Sequence, residues 1–218
     1  PISSLSSKDS DRMKNGIFSC STFSNLEEFN TLCAIGSYNK TVGLYDIRVN
    51  DFINCINLEE CCKKINKYIG GVTQVSFLNE NLFIGCRSSD IIFRFDLRKF
   101  QSEFMMYRRY VDNQQRVSFS FDNTGKFMIG GDTRGYLSMW PLDKYFENNI
   151  IIEPFHKIKV SPYSLPGCDF NTNYELVAMA TGSRSFEFEN IIEPKSDSFS
   201  GSQSLNILKL EKLIETNN

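Results

Sequence analysis

Four cations fall at matching places along the chain. Lys40, Arg87, Arg134 and Arg184 each lie in or beside a short polar turn (SYNK, CRSS, DTRG and GSRS) that follows an apolar run. Arg116 closes the stretch NQQR behind Gln114 and Gln115, and Tyr38 stands just ahead of Lys40. Together these residue types supply what single-stranded nucleic acid needs. Guanidinium groups fork onto phosphates, an aromatic ring stacks on a base, and side-chain amides pair with base edges. The same residues also read as ordinary solvated loop charge, since exposed arginines are common. Which reading applies depends on whether the chain brings those turns together.

Catalytic chemistry has little to work with. His156 is the only histidine, so paired-histidine metal sites are excluded and any Ser-His or Cys-His system would have to use it. Its setting, EPFHKIKV, reads as a strand exit bearing a surface or capping histidine. No GxSxG occurs, and GGDTRG at 130–135 lacks the Lys-Ser/Thr ending of a phosphate loop. Asp46 and Asp96 could be imagined as paired acids, but they hold equivalent places in two repeats and read as turn formers. No catalytic residue, metal site or cofactor is expected.

The elements that must carry the turns repeat. The segments GIFSCSTF (16–23) with TLCAIGSYNKTVGLYDIR (31–48), GGVTQVSF (70–77) with NLFIGCRSSDIIFRFDLR (81–98), and QRVSFSFDNTG (115–125) with KFMIGGDTRGYLSMWPLD (126–143) share one pattern. A strand-like run precedes a turn, a second apolar run ends in small residues, and a third strand ends at Tyr45, Phe95 or Trp140. A looser fourth copy begins at SLPGCDF (164–170) and continues through YELVAMATGSR (174–184). The spacing slightly exceeds the ~40–45 residues of a four-stranded propeller blade.

One such unit cannot bury both faces of its sheet, whereas radial stacking can. The fold expected is therefore all-β: a WD-repeat β-propeller, with about four blades of a seven-bladed ring. Outer strands are expected in 51–58, 104–111 and 150–155. The expected division is a lead-in at 1–15, blades at 16–58, 70–111, 112–155 and 156–213, a helix-like insertion at 59–69 and a polar insertion near 188–204. Glu59–Lys63 and Glu60–Lys64 have helix-supporting spacing, while SLNILKLEKL (204–213) fits a delayed third strand or a terminal helix. In a propeller the turns after second strands and the connections between blades emerge on one rim. The cluster Tyr107, Arg108, Arg109 and Tyr110 is expected on an outer strand, where edge protection explains it.

Composition agrees with an ordinary packed protein. The 218 residues are 41% hydrophobic with 19 Phe, and the net charge of −2 gives no global basic field. The seven cysteines (20, 33, 55, 61, 62, 86 and 168) include no CxxC and read as reduced core thiols of an intracellular protein. No apolar run approaches the ~20 residues that span a bilayer. The start, PISSLSSKDSD without Met, suggests a piece of something longer.

GSYNKTVGLYD, GGVTQVSF with GCRSSDIIFRFDLR, and NQQRVSFSFDNTGKFMIGGDTRGYLSMW together resemble the telomerase Cajal body protein family, and AMATGSR extends the likeness. The resemblance runs from about Gly16 to Leu210. It implies a non-catalytic, RNA-binding scaffold of small nuclear ribonucleoproteins in the nucleus, directed to the Cajal body. The implied partners are small Cajal body RNA or telomerase RNA, ribonucleoprotein components and N-terminal blades of the same protein, with no membrane. The candidate RNA-binding residues are Tyr38, Lys40, Arg87, Gln114, Gln115, Arg116, Arg134 and Arg184. A WD-repeat scaffold that docks proteins without touching RNA is the alternative. The chain departs from the usual WD pattern: Tyr38-Asn39, Ser88-Ser89 and Thr133-Arg134 occupy the turns, and Pro141 replaces the Asp after Trp140.

Overall fold

The computed structural model describes residues 13, 15–27, 30–99, 104–142, 151–171, 173, 176–182 and 203–209. Arg184 and most of the lead-in (1–15) and polar insertion (188–204) lie outside these residues.

Among the described residues, period-two alternation builds four sheets in chain order, each antiparallel through its consecutive strands. The first contains β1 (Phe18–Phe23), β2 (Leu32–Ser37), β3 (Thr41–Asp46) and β4 (Asp51–Asn57). The second contains β5 (Val72–Leu78), β6 (Asn81–Cys86), β7 (Ile91–Asp96) and β8 (Phe104–Arg108). The third begins with β9 (Phe119–Phe121), β10 (Phe127–Gly131) and β11 (Tyr136–Pro141), and the fourth with β14 (Gly167–Phe170) and β15 (Leu176–Gly182).

Alternate side chains of one strand enter different cores. Leu82 and Ile84 of β6 point toward the first sheet, and Phe83 between them points toward the third. Met128 of β10 and Trp140 of β11 join Phe83 in the second core. Their neighbours Ile129 and Met139 turn to a third core with Leu165, Val177 and Met179 of the fourth unit. One core thus lies between each successive pair of sheets, the radial packing of a WD-repeat β-propeller. Removing Phe83 or Trp140, both essentially inaccessible, would cost about 3–5 kcal/mol.

The first strands of the sheets stand side by side. β1 packs on β5, and β9 on β14. Gln74 ties β5 to β9 as a surrogate ladder: its Nε2 donates to the Phe119 carbonyl at 2.8 Å, and its Oε1 accepts from the Phe119 N–H at 3.0 Å. The third strands of the first two sheets each end in an ionic staple. Asp46 takes the Arg48 guanidinium at 3.2 and 2.8 Å, and Asp96 takes Arg98 at 3.0 and 2.8 Å. These contacts explain the echo YDIR/FDLR as strand-ending chemistry.

Between the first two sheets, α1 (Leu58–Ile65) opens at Asn57, whose side chain accepts from the Glu59 N–H at 3.1 Å and donates to Glu60 at 2.9 Å. Asn66, left-handed at φ 52°, closes it, so the chain from 66 to 71 is irregular rather than helical. Leu58, Cys61 and Cys62 bury against the first core.

Three expectations change. Residues 150–155 do not supply the outer strand of the third sheet. Instead β12 (Ile151–Ile152) pairs in parallel with β8, as a fifth strand of the second sheet. Pro154 has no N–H and interrupts the run. The outer strand of the third sheet is β13 (His156–Lys159), pairing with β11, so the division between 112–155 and 156–213 cuts through one sheet. His156 therefore opens a strand and is buried, not a surface histidine at a strand exit. The 107–110 cluster is not edge protection either: Tyr107 and Arg109 are buried, and Arg108 pairs with Glu153 at 2.8 Å. At the chain's far end, β16 (Gln203–Lys209) pairs along the whole of β15.

Two outcomes test these contacts. Gln74→Leu should destabilise by about 1–3 kcal/mol in denaturant titration, because two Phe119 backbone groups lose their partners. The Arg48 and Arg98 hydrogen bonds hold the Asp46 and Asp96 carboxyls below their usual range, Asp46 at about 2. A carboxylate whose folded pKa is depressed stabilises above its unfolded value, near 4, and that contribution is lost as pH falls toward 2. Acid titration should show this loss, and Asp46→Asn should flatten it.

Candidate functional site

The turns between second and third strands are held tightly. In the first, Ser37 Oγ donates to the Ile17 carbonyl and accepts from the Asn39 N–H, and Lys40 takes a positive φ of 62°. In the second, Ser88 is at φ 45° and Ser89 Oγ accepts from the Ile91 N–H at 3.3 Å. In the third, buried Asp132 accepts from the N–H groups of Arg134 and Tyr136 at 2.9 and 2.8 Å, with Gly135 at φ 78°. That aspartate braces its turn just ahead of the Thr133-Arg134 pair.

Three candidates meet directly. The Arg87 guanidinium lies 5.3 Å from the centre of the Tyr38 ring, donates to Tyr38 Oη at 3.3 Å and to the Gln114 carbonyl at 2.9 Å. Gln114 Nε2 donates to Ser88 Oγ at 2.8 Å. One residue on, Gln115 Oε1 accepts from Asn113 at 3.2 Å and from Ser164 Oγ at 2.7 Å. A continuous polar chain thus runs from the first sheet's turn, across the second, to the connection leading into the fourth. Gln115 also lines an open groove of about 540 Å³ with Pro166, Thr181 and Leu205.

Other candidates are placed differently. Arg116 Nη2 donates to the Ser19 carbonyl of β1 at 2.8 Å, bridging the third sheet's start to the first sheet. Lys40 turns away to Glu59, 3.4 Å off, and lies 5.2 Å from the Tyr68 ring centre. Arg134 forms a separate stack 3.3 Å over the Tyr110 ring. Beside it the Asp112 carboxyl is held below its usual range, first by the Thr133 hydroxyl and then by Tyr110 and Arg134.

Charge compensation separates these cations. Arg48, Arg98, Arg108, Lys40, Lys67 and Lys157 each pair with a carboxylate. Among the described residues, Arg87 and Arg116 have none. Arg109, fully buried and pulled down to about 10 by that burial, donates to the Val117 carbonyl at 2.8 Å and anchors the connection bearing Gln114–Arg116. All seven thiols are free, and burial raises the pKa of Cys62 and Cys168 to about 12, the unreactive form. Among the described residues, no three His, Cys, Asp or Glu gather to hold a metal, and no helix is long and apolar enough to cross a membrane.

The residues that sequence reasoning missed are small or aromatic. A Cβ on Gly70 would sit 2.9 Å from Arg87 Cβ, and one on Gly71 would sit 2.7 Å from Tyr38 Cδ1. Gly70 N–H also donates to the Arg87 carbonyl at 2.7 Å, and Arg87 N–H to that of Gly71 at 3.0 Å. The Gly-Gly pair opening the second repeat was the available signal. It is the bare backbone on which the Tyr38–Arg87 pair rests. Tyr68 and Tyr110 carried no repeat signal, because each lies in a connection of different length.

No family model matches the chain. Telomerase Cajal body protein 1 of Rattus norvegicus is 29% identical over 175 residues, covering 79% of this chain and 31% of the relative. The Drosophila melanogaster homolog of that protein is 31% identical over 124 residues, 55% of this chain and 21% of the relative. The human protein is 28% identical across 79% of this chain and 30% of its own length. The chain thus spans about a third, or less, of the curated relatives it matches. A chain in the crystal structure of the mitotic checkpoint complex shares the fold, with TM-score 0.58 and 14% identity over 78% of this chain and 46% of that one.

Gly71→Ala should force Tyr38 off its seat and cost about 1–3 kcal/mol in thermal or denaturant unfolding. Placing alanine on the open surface instead, as Lys63→Ala, should alter stability by under about 0.5 kcal/mol.

Proposed function

The chain belongs to the telomerase Cajal body protein family, and on that footing we propose that it is the RNA-binding part of a non-catalytic propeller scaffold. Its ligand is a single-stranded loop of a small Cajal body RNA or of telomerase RNA. Its partners are the other components of those ribonucleoproteins and further blades of its own protein, and its place is the nuclear Cajal body. The observation that carries the reading is the pair of rim guanidiniums, Arg87 and Arg116, that no described carboxylate neutralises, set beside Tyr38 and the Gln114 amide. Phosphates supply the missing anions, while ring and amide suit splayed bases.

A protein-docking scaffold without RNA is the second reading. It is favoured by the exposed ring pair Phe127 and Phe155, with centroids 5.8 Å apart, outside the polar rim.

The test is the full-length protein titrated with a small Cajal body RNA hairpin at several salt concentrations. Replacing Arg87, Arg116 and Arg134 by Ala together should weaken binding, and the loss of the Arg87 and Arg116 phosphate contacts should reduce the slope of log affinity against log salt by about 1.4, near 0.7 per lost contact. Unchanged affinity and slope would remove the assigned face. Absence of saturable RNA binding, with protein partners retained after RNase treatment, would favour the second reading.

A further inference from the structure

Each described turn on the rim pairs a cation with a tyrosine, and in two of the three a carboxylate stands near the cation. Lys40 lies 5.2 Å from the Tyr68 ring centre, with Glu59 3.4 Å from its ammonium. Arg87 lies 5.3 Å from Tyr38 and has no described carboxylate. Arg134 lies 3.3 Å over Tyr110, beside Asp112. These pairs are linked. Lys40 and Tyr38 share the first turn, and Arg87 joins Tyr38 to Gln114. Gln114 follows the Tyr110–Asn113 stretch, to which the third turn is fastened by Thr133, whose hydroxyl donates to the Tyr110 carbonyl and to Asp112.

Tyr68 is the most exposed of the three rings, at 69%, and Tyr38 is 40% exposed. Both rings therefore present a face to solvent. Tyr110 has one face taken by Arg134, itself an exposed residue.

We propose that Tyr68 and Tyr110 with Arg134 are two further stacking stations flanking Tyr38–Arg87, so that the rim holds successive bases of one single-stranded RNA. The proposal rests on the RNA-binding reading above and extends it from one station to three. Aromatic rings and guanidinium planes are the surfaces on which unpaired bases stack, with little demand on base identity. The charge pattern divides the labour. At the flanks Lys40 is paired with Glu59, and Arg134 is already stacked on Tyr110 with the Asp112 carboxylate nearby, so those stations bind mainly by stacking. The central station, with Arg87 uncompensated, takes phosphate charge.

This division gives a distinctive test. Full-length protein is titrated with a fluorescein-labelled hairpin RNA bearing a single-stranded loop, at several salt concentrations. Tyr68→Ala and Tyr110→Ala should each weaken binding about tenfold, with the salt slope unchanged. Tyr68→Phe and Tyr110→Phe should restore it, because the ring remains. Arg87→Ala should instead make the slope shallower. Making the loop abasic at the contacted nucleotide should remove the effect of the matching Tyr→Ala change. Thermal melting of each variant excludes misfolding, and the Phe variants supply the ring if an Ala variant is unstable. If the tyrosine variants bind like the parent while Arg87→Ala is weakened, the added stations are wrong and the RNA rim stands. If no version binds RNA saturably, both readings fall. Loss of a protein partner from the tyrosine variants with RNA affinity unchanged would assign those rings to protein docking and overturn the proposal.

Discussion

The second and third sheets each have two apolar faces, and a neighbouring sheet covers each of them. That constraint organises the rest of the structure. Phe83 and Ile84, adjacent in one strand, bury in different cores, as do Met128 and Ile129. A one-residue slip in register would exchange the two faces and empty both cores. Radial packing is therefore enforced by alternation along each strand rather than by any single contact. Gln74 shows the same constraint at the polar level, with a side-chain amide completing backbone pairing where two first strands meet without a ladder of their own.

Once the sheets are fixed, the turns have little freedom. They are short, they brace themselves with Ser37, Ser89 or Asp132, and they emerge beside one another. At the strand ends near Asp46 and Asp96, positive side chains are consumed locally by carboxylates. On the rim, Arg87 and Arg116 instead spend their hydrogen bonds on carbonyls and a tyrosine, which fix their direction without cancelling their charge. An oriented but uncompensated guanidinium beside a half-exposed ring is a preorganised surface: the protein has already met the cost of placing the group. Gly70 and Gly71 belong to this arrangement, since any side chain there would displace the residues above it.

Much of this was legible in the sequence, for a physical reason. Strand alternation and the recurring third-strand aromatic are consequences of burial, so three repeats could be overlaid before any coordinates. The helix signal was equally local: Glu59–Lys63 and Glu60–Lys64 stand at helical spacing, and the structure adds the Asn57 cap. What escaped depended on packing between distant segments. Pro154 moved the third sheet's outer strand to His156–Lys159 and left Ile151–Ile152 to extend a neighbouring sheet. Within the candidate site, Tyr38, Arg87 and Gln114 converge, whereas Lys40 and Arg134 engage Tyr68 and Tyr110, which lie outside the repeat register. Equivalent positions in the repeat predict where a side chain starts but not which neighbour it meets.

Ultraviolet cross-linking of the full-length protein to its RNA in cells, with cross-linked peptides located by mass spectrometry, bears most directly on the central claim. The account predicts cross-links concentrated in 37–40, 66–71, 87–90 and 110–116, with the strand ends at 46–50 and 97–99 unmarked. Cross-links confined to those strand ends, or none in the chain while the rest of the protein is labelled, would contradict it.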